Sequence, residues 1–348
     1  MHPEGVVSSS RMRRIFWIII RKILFLFDAE AAHLFTIGVI QRTPSPVIRI
    51  LSASGESKSS IKIAGVEFGN RLGLAAGFDK NAELIQRLPE FGFGFAEAGT
   101  VTLRPQQGNP LPRLFRDPAT ESLFNSMGFN NHGCEAFENH LKSFMRARKM
   151  GLVPKNFRVG ANIGKGRSTS NEEASFEYGS LAGRLARYCD YLVVNISSPN
   201  TPDLRNLQSA QEVSQIVSAV VVAMEAATTR PVFLKLAPEI DGEGLTSILN
   251  AAQQAGVSGF ILTNTLGGSR EGQSGGWSGG RLREHSLKSL VHARSRTDLP
   301  IVSSGGIMNV QDARERLEAG ANLIQIYSGW VYQGPDFVSR ILAGLESD

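Results

Sequence analysis

Tyr191-Leu-Val-Val-Asn-Ile-Ser-Ser-Pro-Asn-Thr-Pro202 passes from an apolar run into a polar one. A short apolar run bounded by turn residues reads as a buried strand. Behind it come Asn195, Ser198 and Asn200, which supply two amides, each both donor and acceptor, and a hydroxyl able to accept a proton. Alone, a Ser-Pro-Asn cluster is a turn. Here it has company. Apolar runs around Leu72–Ala75, Phe95–Ala98, Val159–Asn162, Leu192–Asn195, Val232–Leu236, Phe260–Thr263, Ile301–Ser303 and Leu323–Ile326 each end in polar or glycine-rich residues, with amphipathic helical stretches between them. Eight strand–helix units over about 280 residues predict an α/β fold, a (β/α)8 TIM barrel with its functional face at the strand C-termini. A doubly wound open sheet would carry GxGxxG after its first strand, and none stands there.

The strand tips are chemically coherent. Strand 1 leads to Ala75-Ala-Gly-Phe-Asp-Lys80, strand 2 to Gly99-Thr100, strand 3 to Asn162-Ile-Gly-Lys165, strand 5 carries Lys235, and strand 6 leads to Thr263-Asn-Thr265. Strand 7 runs into Gly305-Gly306 and strand 8 into Tyr327-Ser-Gly329. Glycines after strand 7 and Ser-Gly after strand 8 can present backbone N–H groups to one phosphate, the usual barrel position for that anion. Gly275-Gly-Trp-Ser-Gly-Gly280 reads as a further permissive loop. A phosphate there, with lysines and amides at the barrel mouth, fits flavin mononucleotide, and Lys235 suits negative charge on a reduced flavin ring.

Composition narrows the class. Hydrophobic residues make up 42% and charged residues 20% of the 348, which describes a globular chain. Cys134 and Cys189 lie in no metal-like or CxxC spacing, so neither a metal site nor a disulfide framework is expected. Residues 1–54 hold seven basic and three acidic side chains, nearly all of the chain's +5, so the charge is no nucleic-acid signal. Within that segment Ile15–Ile20 and Ile23–Phe27 are apolar runs split by Arg21 and Lys22. Each is too short to span a bilayer, which needs roughly 20 residues. On a helix Arg11, Arg14, Arg21 and Lys22 share a face, the pattern of a helix lying in a membrane interface. The alternative is a helix packed on the protein's own core. A cleaved signal peptide is a further alternative. Asp28 reads as the N-cap of a second helix with Leu34, Ile37 and Ile40 on one side. Ser52–Ser60 is a polar linker, and Ile61–Ile63 with Val66–Phe68 a small hairpin.

In order along the chain stand LAAGFDK (74–80), GTVTLRPQQGN (99–109), PRLFR (112–116), MGFNN (127–131), NIGK (162–165), NISSPNTP (195–202), TNT (263–265), GGI (305–307) and QIYSG (325–329). This series resembles the dihydroorotate dehydrogenase family, in its membrane-associated, quinone-dependent class. The resemblance implies oxidation of (S)-dihydroorotate to orotate in pyrimidine biosynthesis. It implies that one FMN per chain takes a hydride from C6, that Ser198 removes a proton from C5, and that the electrons pass to a membrane quinone. It implies substrate contacts at Lys80, Asn125, Ser126, Met127, Gly128, Phe129, Asn195, Asn200, Asn264 and Thr265, with Phe129 and Thr201 packed around the base. It implies cofactor contacts at Ala76, Gly77, Phe78, Asp79, Lys80, Thr100, Asn162, Asn195, Lys235, Thr263, Gly279, Gly306, Tyr327 and Ser328. The soluble class of the family has cysteine at the base position, where this chain has Ser198.

The chain departs from the family pattern at Ser126, where arginine is common, at Leu266, and at Gly280-Arg281. Residues 1–54 are expected to be the membrane contact and quinone entrance, with Arg116 and Tyr327 as quinone-side candidates, and residues 55–348 the FMN-binding barrel. Expected partners are dihydroorotate and orotate, ubiquinone or menaquinone, and a lipid surface, with no nucleic acid and no obligate protein partner. The expected place is the cytoplasmic face of a bacterial inner membrane, or else the mitochondrial inner membrane. A soluble pyrimidine reductase and a silent membrane scaffold are the competing classes; Ser198 with the basic apolar N-terminus opposes the first, and intact Ser198 and Lys80 the second.

Overall fold

The computed structural model describes residues 4–54, 60–201, 204–225, 228–240 and 242–346. Eight strands close a barrel: β1 (Leu72–Leu74), β2 (Phe95–Val101), β3 (Arg158–Ile163), β4 (Tyr191–Asn195), β5 (Val232–Leu236), β6 (Gly259–Leu262), β7 (Ile301–Ser304) and β8 (Leu323–Ile326). Neighbours follow chain order, every pair is parallel, and β8 closes onto β1. The strands are the apolar runs expected from sequence; β2 continues three residues further, to Val101.

Alternating side chains fill the barrel's lower interior: Phe95, Tyr191, Val193, Phe233, Ile261, Val302 and Leu323. Gly160 on β3 makes room for one ring, since a Cβ there would fall 2.1 Å from Tyr191. The hairpin of Ile61–Ile63 and Val66–Phe68 plugs this end, with Phe68 5.3 Å from the Phe95 ring and 5.9 Å from Tyr191. With the bottom packed and plugged, the space for chemistry lies at the strand C-termini.

That end carries an unexpected element. Leu114–Asp117, Ser122–Asn125, Gln273–Gly279 and Leu266–Arg270 form a four-stranded antiparallel sheet. The segment expected as a permissive loop at Gly275–Gly280 is therefore mostly strand. It is held by long-range pairing, Gly276 opposite Asn125 and Trp277 opposite Phe124, with those two rings 5.0 Å apart.

Before the barrel run three helices: α1 (Glu4–Leu24), α2 (Ala29–Arg42) and α3 (Ser45–Ser52). Asp28 caps α2 as expected, its Oδ1 accepting from the Ala31 N–H at 2.8 Å. The packed side of α2 carries Ala29, Ala32, Ile37 and Ile40; Leu34, expected with them, is 61% exposed beside Phe35 and Val39. Alanines narrow the seam and rotate Leu34 off it. The third helix starts after Pro44, which favours a helix beginning, and was hidden in the tail of the N-terminal segment. It buries Ile48 and ties to the barrel where the Ser52 and Ser54 hydroxyls donate to Glu90 O at 3.1 and 2.6 Å. Of the linker expected over Ser52–Ser60, residues 55–59 lie outside the described residues.

Helix α1 both packs on the barrel and faces outward. Trp17 Nε1 and Arg21 Nη1 donate to Tyr332 O at 3.1 and 2.7 Å, and Phe25 meets the Tyr332 ring edge-on at 5.5 Å. Arg21 therefore leaves the expected basic stripe, because its guanidinium caps a barrel carbonyl. Arg11, Arg14 and Lys22 remain exposed, next to Ile15, Phe16, Ile19 and Ile23. Among the described residues no helix is long and apolar enough to cross a membrane.

Candidate active site

A cavity of about 1110 Å³, including its open mouth, lies between the strand C-termini and the four-stranded sheet. Of the residues expected at the site, Ala76, Gly77, Lys80, Thr100, Asn125, Met127, Gly128, Phe129, Asn195, Ser198, Asn200, Lys235, Thr263, Asn264, Thr265, Gly279, Gly306, Tyr327 and Ser328 line it.

Its centre is an amide network. Asn195, at the tip of β4, donates from Nδ2 to Thr100 Oγ1 at 2.8 Å and to Asn162 Oδ1 at 3.2 Å. Its Oδ1 accepts from the Ser197 hydroxyl at 2.9 Å and from Asn264 Nδ2 at 3.2 Å. Asn200 Nδ2 donates to Asn125 Oδ1 at 2.6 Å, joining the β4 loop to the mouth sheet. Asn200 Oδ1 is buried without a partner among the described residues, an acceptor left for a ligand. Ser198 is buried, and its Oγ accepts from the Asn200 backbone N–H at 3.2 Å. Neither a carboxylate nor an imidazole bonds that oxygen among the described residues. Thr201 is buried nearby with its hydroxyl unpaired among them.

Below the amides lies a feature that sequence reading missed. Glu97, on β2, is buried inside the barrel, its Oε1 3.1 Å from Lys235 Nζ and bonded to Asn162 Nδ2 at 2.5 Å. Its Oε2 accepts from Gln325 Nε2 at 2.8 Å. A charged residue inside the apolar run Phe95-Ala-Glu-Ala-Gly was the available signal. Lys80 sits half-buried at the mouth, and desolvation lowers its pKa to about 8, with Glu30 pulling it up and Arg113 pushing it down.

At the far end Gly305, Gly306 and Gly329 face the cavity. The backbone N–H groups of Gly306, Ser328 and Gly329 have no protein acceptor among the described residues. Gly306 has φ +72°, and a Cβ there would fall 2.3 Å from Arg283 Cα. Glycine is required at that position by the protein itself.

Four expected side chains sit off the cavity. Phe78 turns away to meet His33, Trp330 and Tyr327 at 4.7, 4.9 and 5.4 Å. Asp79 accepts from the Glu83 and Leu84 N–H groups at 2.7 and 2.8 Å, binding its own loop; burial raises its pKa to about 6. Asn162 stands behind Thr100, whose hydroxyl donates to it at 2.5 Å. Ser126 faces Asn109, which donates to its carbonyl at 3.0 Å. Arg116 lies outside the cavity, 4.5 Å over the Phe25 ring and donating to Phe27 O at 2.7 Å. Tyr327 lines the cavity and touches Phe78, so Tyr327, Phe78 and His33 lead from the site to α2.

Residues 59–348 match the family model for dihydroorotate dehydrogenase. The chain belongs to that family. Curated relatives named dihydroorotate dehydrogenase (quinone) include one from Novosphingobium aromaticivorans, 41% identical over 94% of this chain and 93% of its own length. One from Paracidovorax citrulli is 39% identical over 97% and 99%. A solved DHODH from Eimeria tenella, in complex with ferulenol, superposes with a TM-score of 0.83 at 32% identity, covering 91% of this chain and 90% of that one. The chain is thus an oxidoreductase, with the quinone-dependent activity of these relatives.

Proposed function

We propose that the cavity holds one FMN and oxidises (S)-dihydroorotate to orotate for pyrimidine biosynthesis, with Ser198 as base and a membrane quinone as final acceptor. The observation that carries this reading is the convergence of Ser198, the amides of Asn125, Asn195, Asn200 and Asn264, Lys80 and Lys235 on one cavity that ends in a glycine turn.

The residues suit the cofactor. Thr100, Asn195, Lys235 and Thr263 would hold the ring, and the unpaired N–H groups at Gly306, Ser328 and Gly329 its phosphate. FMN, when bound, would supply the two-electron acceptor for the substrate hydride, in reach of quinone for reoxidation.

Ser198 takes the C5 proton. The Asn200 N–H donating to its Oγ fixes the hydroxyl and leaves a lone pair for that proton. A serine cannot keep it, so a neighbour must take it on, and the buried unpaired Thr201 hydroxyl is suitably placed in sequence and burial. Asn125, Asn200 and Asn264 read the imide, each with a donor and an acceptor. Lys80 offsets the substrate carboxylate in surroundings where water is sparse.

Residues 1–54 serve as membrane contact and quinone entrance. The exposed Ile15, Phe16, Ile19, Leu34 and Phe35, flanked by Arg11, Arg14 and Lys22, suit an anionic lipid surface. Burial and the nearby Lys80 lower the His33 pKa to about 4, so the wall it shares with Phe78 and Tyr327 is uncharged at neutral pH, as an apolar quinone needs. The protein is then a peripheral one, on the cytoplasmic face of a bacterial inner membrane.

The test is the absorption spectrum of the purified full chain without oxygen. Flavin bands that bleach on adding dihydroorotate and return on adding ubiquinone are the expected result; bands indifferent to dihydroorotate overturn the reading.

A further inference from the structure

Arg316, on the helix Val310–Glu318, is wholly buried. Its Nη2 donates to Arg283 O at 2.6 Å and, at longer range, to Gly305 O at 3.4 Å. Its Nε and Nη1 have no acceptor among the described residues. A buried guanidinium with unpaired nitrogens is destabilising. Desolvation lowers its pKa to about 10, which still leaves it charged at neutral pH. Glu315 and Asp312 act on it through space, pulling the pKa up, and neither bonds it; Asp312 Oδ1 lies 2.7 Å from Arg283 Nη2, and its Oδ2 accepts from the Met308 N–H at 2.8 Å.

The groups that Arg316 grips lie behind the glycine turn of the cavity. Ser286 Oγ donates to the same Gly305 carbonyl at 2.9 Å. Gly306, next in the chain, is pressed against the backbone of Arg283, whose own carbonyl Arg316 holds. With its carbonyls fixed from outside, the turn has little freedom, and the free Gly306 N–H lines the cavity.

We propose that Arg316 is a positioning residue for the cofactor phosphate. From behind the turn it aims the Gly306 N–H and sets a buried positive charge toward a phosphate dianion, where low dielectric carries that charge further than water would. This rests on the FMN reading of the cavity.

The test compares FMN with riboflavin, which lacks the phosphate. The full chain, stripped of flavin, is titrated with each, in wild type, Arg316→Gln and Arg316→Lys, with thermal melts as a check on folding. Wild type is expected to prefer FMN strongly. Arg316→Gln should lose at least about tenfold of that preference, and Arg316→Lys, which keeps the charge, less than about threefold, since phosphate contacts read charge while general loosening weakens both ligands alike. An unchanged FMN-to-riboflavin ratio in a folded Arg316→Gln protein overturns the inference. Should that variant not fold, Ser286→Ala removes a bond to the same carbonyl; a fallen ratio there supports the inference and an unchanged one overturns it. Equal affinity of wild type for both flavins is a different result, and it removes the phosphate reading of the cavity itself.

Discussion

Lys235 Nζ lies 3.1 Å from Glu97 Oε1, and both side chains are buried inside the barrel. Removing one partner of such a pair strands the other, a loss of about 3–5 kcal/mol. Lys235→Ala should therefore lower the melting temperature sharply as well as weaken flavin binding. Lys235→Ala with Glu97→Gln should recover most of the stability and leave flavin weakly bound. Melts and flavin titrations on both variants check this, and full flavin affinity in the double variant would show that Lys235 serves the fold alone.

Lys80 sets a pH dependence. Its pKa near 8 means that the cation prevails below that pH and is lost above it. Because the substrate is an anion, kcat/KM for dihydroorotate should fall as pH rises through about 8. Stability runs the other way: the folded pKa is below the ordinary 10.5, the unfolded chain binds more protons between them, and stability from this group rises with pH across that window. Lys80→Arg should remove the falling limb of the rate profile; a limb that stays put there assigns it to another group.

The N-terminal helices divide into two parts with different consequences. Deleting residues 1–27 removes α1 and should leave single-turnover flavin reduction within a few-fold of wild type while membrane binding and turnover with long-tailed quinones are lost. Deleting residues 1–54 should also damage the fold. It takes away the buried Glu30, 2.7 Å from Arg113, and Ile48 and Ser52 packed near Glu90. Wild-type quinone turnover in the shorter deletion would exclude α1 from the quinone route.

Arg11, Arg14 and Lys22 are exposed, whereas Arg21 is spent on Tyr332 O. Replacing the three by Gln should weaken binding to anionic vesicles by up to about 1 kcal/mol per residue at low salt, fading as salt is added. Arg21→Gln should instead lower stability. Sedimentation with vesicles at two salt concentrations separates these, and equal binding by wild type and the triple variant would leave apolar insertion as the only contact.

The barrel was legible in the sequence because each strand is a continuous apolar run, as a parallel strand buried on both faces must be. The mouth sheet was not. Gln273-Ser-Gly-Gly-Trp-Ser-Gly279 has no alternation of apolar and polar residues, and it becomes a strand through pairing with Ser122–Asn125, some 150 positions away. Most of the cavity lining was readable because strand tips share one end of the barrel. Within a tight loop, neighbouring side chains diverge, so the motif at 74–80 could not tell Gly77 and Lys80, on the cavity, from Phe78 and Asp79, turned from it. Helix α1 packs on the barrel through Trp17 and Arg21, which its sequence reading as a core-packed helix allowed, and leaves Ile15 and Phe16 exposed.

Ser198 as base is the centre of this account, and rapid mixing of dihydroorotate with the flavin-loaded protein in the absence of oxygen and quinone tests it most directly. The account predicts that Ser198→Ala binds flavin and substrate as wild type does, while flavin reduction slows by roughly 10²–10⁴-fold, the contribution of a positioned general base. Reduction of Ser198→Ala at a rate near that of wild type would contradict it.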